Sequence, residues 1–398
     1  MNCEKITLES GQTRWVCRED APPNPVTGKR RPIERRGKTK KEAKKKVEDI
    51  IDYLKNNGVD RRASASINFK SLAEKWLTVY EATGVKRGSV RIREKEVNIL
   101  CSYLGEINTI KITHEMYQNM LLDLDKKGYA RNSIKGVNTC ANMIFNYAIR
   151  NKYMEYNPRE GATVPKKSIT VEDLEKDKIE ETYFEGNELD LFLDAVLKIG
   201  LDLDKERFYT LAFTGMRPGE LIALKKDDLD FEENTIRISK TLYNENNNMK
   251  EYNIDTTKTN KARTINVDEK IMSMLKKLIH KNDKYKMKYR TQVEDFHDED
   301  FVFQRYNGYP FITKNLATRM KRILKYIKVE KNLTPHSFRH THISMLTESG
   351  SELPTIMKKV GHEDPNTTLK IYTHVTEKMK IKSVQKLTDL HSDLINKI

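Results

Sequence analysis

The sequence predicts an α+β protein of several domains: a small N-terminal β-sheet with a helix, an all-α bundle, and a mostly helical C-terminal domain with a small antiparallel sheet. Three observations carry this expectation. At 398 residues the chain is too long for one ordinary hydrophobic core. Apolar residues recur at helical spacing through its middle, whereas short strand-like runs occur near the start and again beyond residue 230. Residues 1–62 and 63–170 each hold 17 Lys/Arg against 10 Asp/Glu, while 171–398 hold 39 against 38, so the net charge of +15 belongs almost wholly to the first two segments.

In the first segment, residues 1–62, Arg14, Trp15, Val16, Cys17 and Arg18 form one strand-like run, and Pro32, Ile33, Glu34, Arg35 and Arg36 form another. Turn-rich Ala21, Pro22, Pro23, Asn24 and Pro25 lie between them. Thr39 with Glu42 three residues on makes a capping box. Ala43, Val47, Ile50, Ile51 and Leu54 then keep helical spacing until Gly58. In residues 63–168, four helices follow from Leu72, Trp76, Val79 and Tyr80; from Val90, Val97, Leu100 and Leu104; from Met116, Met120, Leu121 and Leu124; and from Ile134, Val137, Ala141, Ile144, Phe145 and Ala148. Asn157 and Pro158 close this bundle, and an acidic stretch across 169–182 reads as a linker. Residues 183–398 mix helical patterns at 189–199, 208–224, 271–278, 316–327, 337–347 and 376–395 with short strands at 235–239 and 263–267.

Composition excludes several classes. No apolar run approaches the roughly 20 residues that cross a bilayer, mean hydropathy is -0.73, and no basic flank followed by an apolar segment opens the chain. A cytoplasmic protein is expected. Cys3, Cys17, Cys101 and Cys140 lie far apart without a CxxC pair, so they read as reduced thiols and not as a zinc site or disulfide framework. Eleven Lys/Arg fall between Lys29 and Lys46 against only Glu34 and Glu42, which points to a polyanionic partner. Lys29, Arg30, Arg31, Arg35, Arg36 and Lys38 are the candidate DNA contacts there, since a basic β-ribbon is narrow enough to enter a groove.

The near-neutral third segment holds the chemistry. Arg217 stands before a helix start in Thr214-Gly215-Met216-Arg217-Pro218-Gly219-Glu220-Leu221, with Pro218 suited to an early helical position. Downstream come His336 and Arg339 at helical i, i+3 spacing, then Gly361-His362, then Tyr372. Guanidinium forks match phosphate oxygens and stabilise a pentacoordinate transition state, and a tyrosine can act as nucleophile. Taken singly, Arg217 reads as a surface residue and Tyr372 as a buried aromatic; their joint order and spacing argue otherwise. A zinc site from His336 and His340 lacks the glutamate of an HExxH arrangement.

At these residues the chain resembles the tyrosine recombinase family, especially integrases of phages and integrative elements. Arg217, His336, Arg339, His362 and Tyr372 fall in the family's order, within Arg-Pro-Gly-Glu-Leu, Thr334-Pro335-His336-Ser337-Phe338-Arg339-His340-Thr341-His342 and Tyr372-Thr373-His374. Thr257-Lys258-Thr259-Asn260-Lys261-Ala262-Arg263-Thr264-Ile265 matches the hairpin that carries the family's catalytic lysine, with Lys258 the first choice and Lys261 the fallback. The resemblance implies a DNA breaking-rejoining enzyme fold over residues 183–398, a core-binding helical domain over 63–168 and an arm-type DNA-binding domain over 1–62.

It also implies a mechanism. Tyr372 attacks the scissile phosphate and keeps a 3′-phosphoryl end, Arg217 and Arg339 hold the non-bridging oxygens, Lys258 protonates the departing 5′ oxygen, His336 assists proton transfer and His362 hydrogen-bonds the phosphate. Glu220 orients its neighbours, and His340 and His342 pack beside the motif. No metal or other cofactor is required. Two rounds through a Holliday junction, on a homotetramer bound to two double-stranded DNA sites in the bacterial nucleoid, would exchange both strands. An excisionase and a host DNA-bending protein are the candidate helpers, and an amphipathic tail with Ile381, Val384, Leu387, Leu390 and Leu394 would dock on its own or a neighbouring subunit. The competing readings are a catalytically inactive architectural regulator of the same fold and a resolvase or invertase within the family.

Overall fold

Antiparallel pairing of three short strands builds the first element. In the computed structural model, which describes residues 1–7, 12–23, 30–57, 67–166, 179–361 and 365–390, β1 (Asn2–Thr7), β2 (Thr13–Asp20) and β3 (Pro32–Gly37) form an antiparallel sheet in the order β1-β2-β3. Helix α1 (Lys40–Asn57) covers one face through Ala43 and Val47, which meet Cys17, Ala21 and Ile33. Its entry is tight: a Cβ on Gly37 would lie 2.6 Å from the Ala43 nitrogen. Thr39 Oγ1 accepts from the Glu42 amide at 3.2 Å, and Glu42 returns a bond to the Lys38 amide at 2.8 Å.

The thiol expectation fails here for two of the four cysteines. Register places Cys3 directly opposite Cys17, and the two form a disulfide, whereas Cys101 and Cys140 are free. A separation of 14 residues hides this pairing in the linear sequence, because only the antiparallel register closes it. Strand β1 was also absent from the sequence reading, its Lys and Glu residues masking the alternation.

Helices α2 (Phe69–Ala82), α3 (Arg87–Leu104), α4 (His114–Lys126) and α5 (Arg131–Arg150) match the four apolar patterns. Asn68 and Thr113 cap α2 and α4 by accepting from the Ser71 and Met116 amides. The core of this bundle includes Phe69, Leu72, Trp76, Leu100, Tyr117, Leu121, Ile134 and Phe145, with the Tyr117 hydroxyl donating to Asn138 Oδ1 at 2.9 Å. Residues 60–64, which read from the sequence as a linker, and most of the linker expected over 169–182 lie outside the described residues.

The chain divides into two compact units, 1–168 and 169–398. In the second, α6 (Gly186–Ile199), α7 (Asp204–Thr214), α9 (Glu269–Tyr289), α10 (Thr313–Tyr326) and α11 (Ser337–Glu348) contribute to one core. Phe184, Phe192, Phe208 and Phe338 meet at its centre, with ring centroids 5.1–5.6 Å apart. Strands β4 (Leu229–Asp230), β5 (Thr235–Ile238) and β8 (Arg263–Asn266) form one small antiparallel sheet, and β6 (Lys240–Asn244) pairs with β7 (Tyr252–Thr256) as a separate ribbon.

Other departures from the sequence reading have local causes. The helical pattern over 208–224 is two helices, α7 and the short α8 (Pro218–Ile222), because Gly215 takes a left-handed conformation (φ 62°) between them. The helix at 271–278 continues to Tyr289, and Lys286 and Arg290 at its end pair with Asp298 in the following loop. Helix α12 (Leu353–Val360) is too short to have given a clear period, and α13 (Pro365–Leu390) begins well before the expected tail helix and carries Tyr372. On α13, Ile381 and Val384 are exposed; the side chains of Leu387 and Leu390, and all of Leu394, lie outside the description.

Candidate active site

The turn between α7 and α8 sets the first arginine. Gly215 is required twice over: its φ is positive, and a Cβ there would sit 2.6 Å from the His342 ring. Pro218 starts α8 and leaves Arg217 at its N-cap. Glu220, one turn into α8, accepts from the Arg217 amide at 2.9 Å and from Arg217 Nη1 at 2.8 Å. Arg217 Nη2 donates to the Gly361 carbonyl at 3.3 Å.

Arg339 lies near the start of α11 and is wholly buried. Its Nη1 donates to the Gly215 carbonyl at 3.0 Å and its Nη2 to the Val360 carbonyl. Both arginines therefore rest on neighbouring carbonyls at the end of α12. Burial, and next the charge of Arg217, push the Arg339 guanidinium below its ordinary range, with Glu220 opposing them. A guanidinium nonetheless stays protonated at neutral pH.

Arg263 on β8 lies within the matched motif but has no part in the expected mechanism, and the structure brings it into the cluster. Its Nη1 and Nη2 donate to the two Glu220 oxygens at 3.1 and 2.7 Å. The signal available in the sequence was alternation: Arg263 shares a strand face with buried Ile265. Burial raises the Glu220 pKa, but hydrogen bonds and charge from Arg263, and then from Arg217, outweigh it and bring it down to about 2. Glu220 is thus a carboxylate shared by two cations. Arg217 and Arg263 share the one carboxylate of Glu220, so this largely buried pair carries one more positive charge than negative, an arrangement that an anion would complete.

His336 precedes α11 and packs edge-on against His340, ring centroids 4.9 Å apart. Burial first, then His340, Arg339, Arg217 and Lys258, lower its pKa to about 4, so its imidazole is neutral at pH 7 with one nitrogen free to accept a proton. The action of Arg217, Arg339 and Lys258 on one ring shows that these four side chains share a neighbourhood. Lys258 is exposed in the turn after β7, and β7 pairs with β6 while β8 pairs with β5. The expected hairpin is therefore a crossing between two sheets, with its turn closed by the Asn260 amide on the Thr257 carbonyl. The fallback, Lys261, is exposed in the same turn.

Tyr372 is half-buried on α13, against a cluster of Ile343, Ile356, Val360, Ile371 and Val375. Val360 links the two halves of the site, since its side chain belongs to that cluster and its carbonyl receives Arg339. His362 lies outside the described residues. His342, expected only to pack, donates its Nδ1–H to the Ala212 carbonyl at 2.9 Å, which fixes the proton on Nδ1 in the neutral ring. That bond steadies the end of α7 just before Arg217.

Among the N-terminal candidates, Lys29 also lies outside the description, and Arg30, Arg31, Arg36 and Lys38 are exposed. Arg35 is half-buried and donates to the Glu34 carbonyl at 2.6 Å, while Glu34 also pairs with Arg18 and Arg36. No described group of three or more His, Cys, Asp or Glu residues is placed to hold a metal ion, and no described helix is long and apolar enough to cross a membrane.

The chain is similar to proteins of known family. Residues 183–379 match the model of the phage integrase family. A probable integrase of prophage ps2 from Lactococcus lactis is 30% identical over 351 residues, covering 86% of this chain and 88% of that protein. The fold is shared with the Tn1549 transposon integrase in complex with transposon right end DNA (TM-score 0.62, 24% identity, 81% of this chain and 100% of that one). It is shared as well with a lambda integrase tetramer bound to a Holliday junction (TM-score 0.57, 15% identity, 92% and 94%). On this similarity the chain belongs to the phage integrase family and is a tyrosine site-specific recombinase.

Proposed function

We propose that this recombinase integrates and excises a mobile genetic element by breaking and rejoining double-stranded DNA through a 3′-phosphotyrosyl intermediate. The observation that carries the proposal is that Arg217 and Arg263 converge on the single carboxylate of Glu220, one more positive charge than negative, with Arg339 held beside Arg217 on the neighbouring carbonyls of Val360 and Gly361. A phosphodiester supplies one negative charge, and its pentacoordinate transition state supplies two, so the site gains most where the reaction is hardest.

In this reading the Tyr372 hydroxyl attacks phosphorus while the bond to the 5′ oxygen breaks. Neutral His336 takes the phenol proton, Lys258 gives one to the departing oxygen, and Arg217 and Arg339 bind the non-bridging oxygens. His362 adds a hydrogen bond to the same phosphate. Attack by a 5′ hydroxyl from the partner strand reverses the step and reseals DNA without ATP. Two such exchanges on a homotetramer, through a Holliday junction, complete recombination on bacterial DNA in the cytoplasm. Residues 63–168 and 183–398 engage the core site. Residues 1–62, with Lys29, Arg30, Arg31, Arg35, Arg36 and Lys38, bind separate arm sites, where an excisionase and a host DNA-bending protein would set direction.

The test uses a duplex carrying the core site, read from the junctions of the integrated element and nicked near the cleavage point so that cleavage is trapped. Wild type should give a covalent protein–DNA adduct, and Tyr372→Phe should bind without forming one. An adduct of equal yield from Tyr372→Phe would overturn the mechanism. Deleting residues 1–62 should abolish arm binding and leave core cleavage; unchanged recombination would refute the arm assignment.

A further inference from the structure

We propose that Arg263 is a positioning residue of the cleavage reaction, a strut that fixes both Glu220 and the end of α12 so that Arg217 meets the phosphate in one geometry. The inference rests on the recombinase reading above and extends it to a side chain that reading uses only as charge.

The argument begins with a helix end. The last carbonyls of any helix lack intrahelical partners and carry the negative end of its dipole. At the end of α12 three consecutive carbonyls are each taken by a different arginine. The Lys359 carbonyl accepts from Arg263 Nε at 3.1 Å, the Val360 carbonyl accepts from Arg339 Nη2, and the Gly361 carbonyl accepts from Arg217 Nη2 at 3.3 Å. One rigid segment therefore sets the spacing of all three guanidiniums.

Arg263 does more than join this row. Its two terminal nitrogens hold Glu220 as a fork while its Nε holds α12, so it ties α8 to α12 through a single planar group. Gly361 packs onto it: a Cβ at Gly361 would lie 3.0 Å from Arg263 Cδ, and the residue has a φ of 68°. Arg263 gives all three guanidinium nitrogens to protein partners, its fork to Glu220 and its Nε to Lys359, whereas Arg217 makes one bond from each terminal nitrogen, to Glu220 and to the Gly361 carbonyl. The division of labour is that Arg217 binds substrate and Arg263 holds Arg217's partner and its carbonyl rest in place. A lysine cannot replace it, because a point charge cannot satisfy a fork and a second element together.

The test compares full-length wild type, Arg263→Ala, Arg263→Lys and Arg217→Ala for single-turnover cleavage of the nicked core duplex. Each is run on an ordinary scissile phosphodiester and on a methylphosphonate, which has lost the oxygen charge that a guanidinium stabilises. Because a displacement of about 1 Å in a reacting group costs on the order of 100-fold, Arg263→Ala should cleave the phosphodiester about 100-fold more slowly at unchanged DNA affinity. Its deficit should shrink several-fold on the methylphosphonate, in parallel with Arg217→Ala, and Arg263→Lys should remain slow. Wild-type rates from Arg263→Ala, full recovery by Arg263→Lys, or an equal deficit on both substrates would overturn the proposal, the last result marking a general structural role. If Arg263→Ala does not fold, Arg263→Lys carries the same comparison. Failure of wild type to form any adduct would count against the recombinase mechanism itself, a result distinct from normal cleavage by the Arg263 variants.

Discussion

Glu220→Gln is the perturbation with the most legible consequence. The Glu220 side chain is wholly buried and accepts from the Arg217 amide, from Arg217 Nη1 and from both terminal nitrogens of Arg263. An amide has the same shape but one acceptor oxygen, and it turns an NH2 toward a guanidinium. Removing one partner of a buried ion pair costs about 3–5 kcal/mol. Linkage gives a similar figure: the folded carboxyl titrates at about 2 against an ordinary 4.5, a difference worth about 3 kcal/mol. The sign follows from the depressed value. The advantage of Glu over Gln is full above about pH 4.5 and disappears as pH falls toward 2. For a unit of 169–398, about 3 kcal/mol corresponds to roughly 6–12 °C in melting temperature. Calorimetry of the full-length protein and its Gln variant from pH 7 to pH 3 should show that gap at neutral pH and a narrowing below pH 4.5. A gap under about 2 °C at pH 7, or one independent of pH throughout, would refute the assignment of Glu220 as the shared counter-ion.

Three further outcomes follow from the same structure. His342 has its pKa lowered to about 4 by burial, so its stabilising neutral form is fully present above about pH 6.5 and the unfolded state gains protons below it; wild type should lose about 2 kcal/mol at pH 5 from this group, and His342→Asn should flatten that part of the pH dependence of melting. Phe338, fully buried among Phe184, Phe192 and Phe208, should cost about 3–5 kcal/mol on truncation to alanine, read as a lower urea midpoint with an unchanged slope. The Cys3–Cys17 disulfide spans 14 residues, and closing a loop of that size stabilises by about 3 kcal/mol; reductant should speed amide exchange in β1 of wild type and leave a Cys3→Ser, Cys17→Ser variant unaffected.

Helices were legible where period and capping agreed. Leu72 to Ala148 gave the bundle because each apolar stripe is long enough to show its spacing, and Thr39 with Glu42 marked a helix start that the hydrogen bonds reproduce. Short or charged elements were not legible. Strand β1 is mostly polar and held by its pairing with β2 and the Cys3–Cys17 bond, α12 spans only two turns, and the space at Gly215 is closed to a side chain by the His342 ring, a residue 127 positions downstream. The site divides in the same way. Arg217, Glu220, His336 and Arg339 were recognisable from ordered motifs, and the structure groups them with Lys258. The contacts of Arg263 are with Glu220 and Lys359, which are remote in sequence, so only the fold displays them. The Cys3–Cys17 bond was missed for the same reason, since register is a property of the sheet.

The central claim is that one phenol oxygen becomes joined to the DNA that the arginine cluster holds. Trapping wild type on the nicked core duplex, digesting both protein and DNA, and locating the nucleotide-bearing residue by mass spectrometry tests it most directly. The expected product is the peptide containing Tyr372 carrying a 3′-phosphoryl nucleotide. A nucleotide on another side chain, or joined through its 5′ phosphate, would contradict the account.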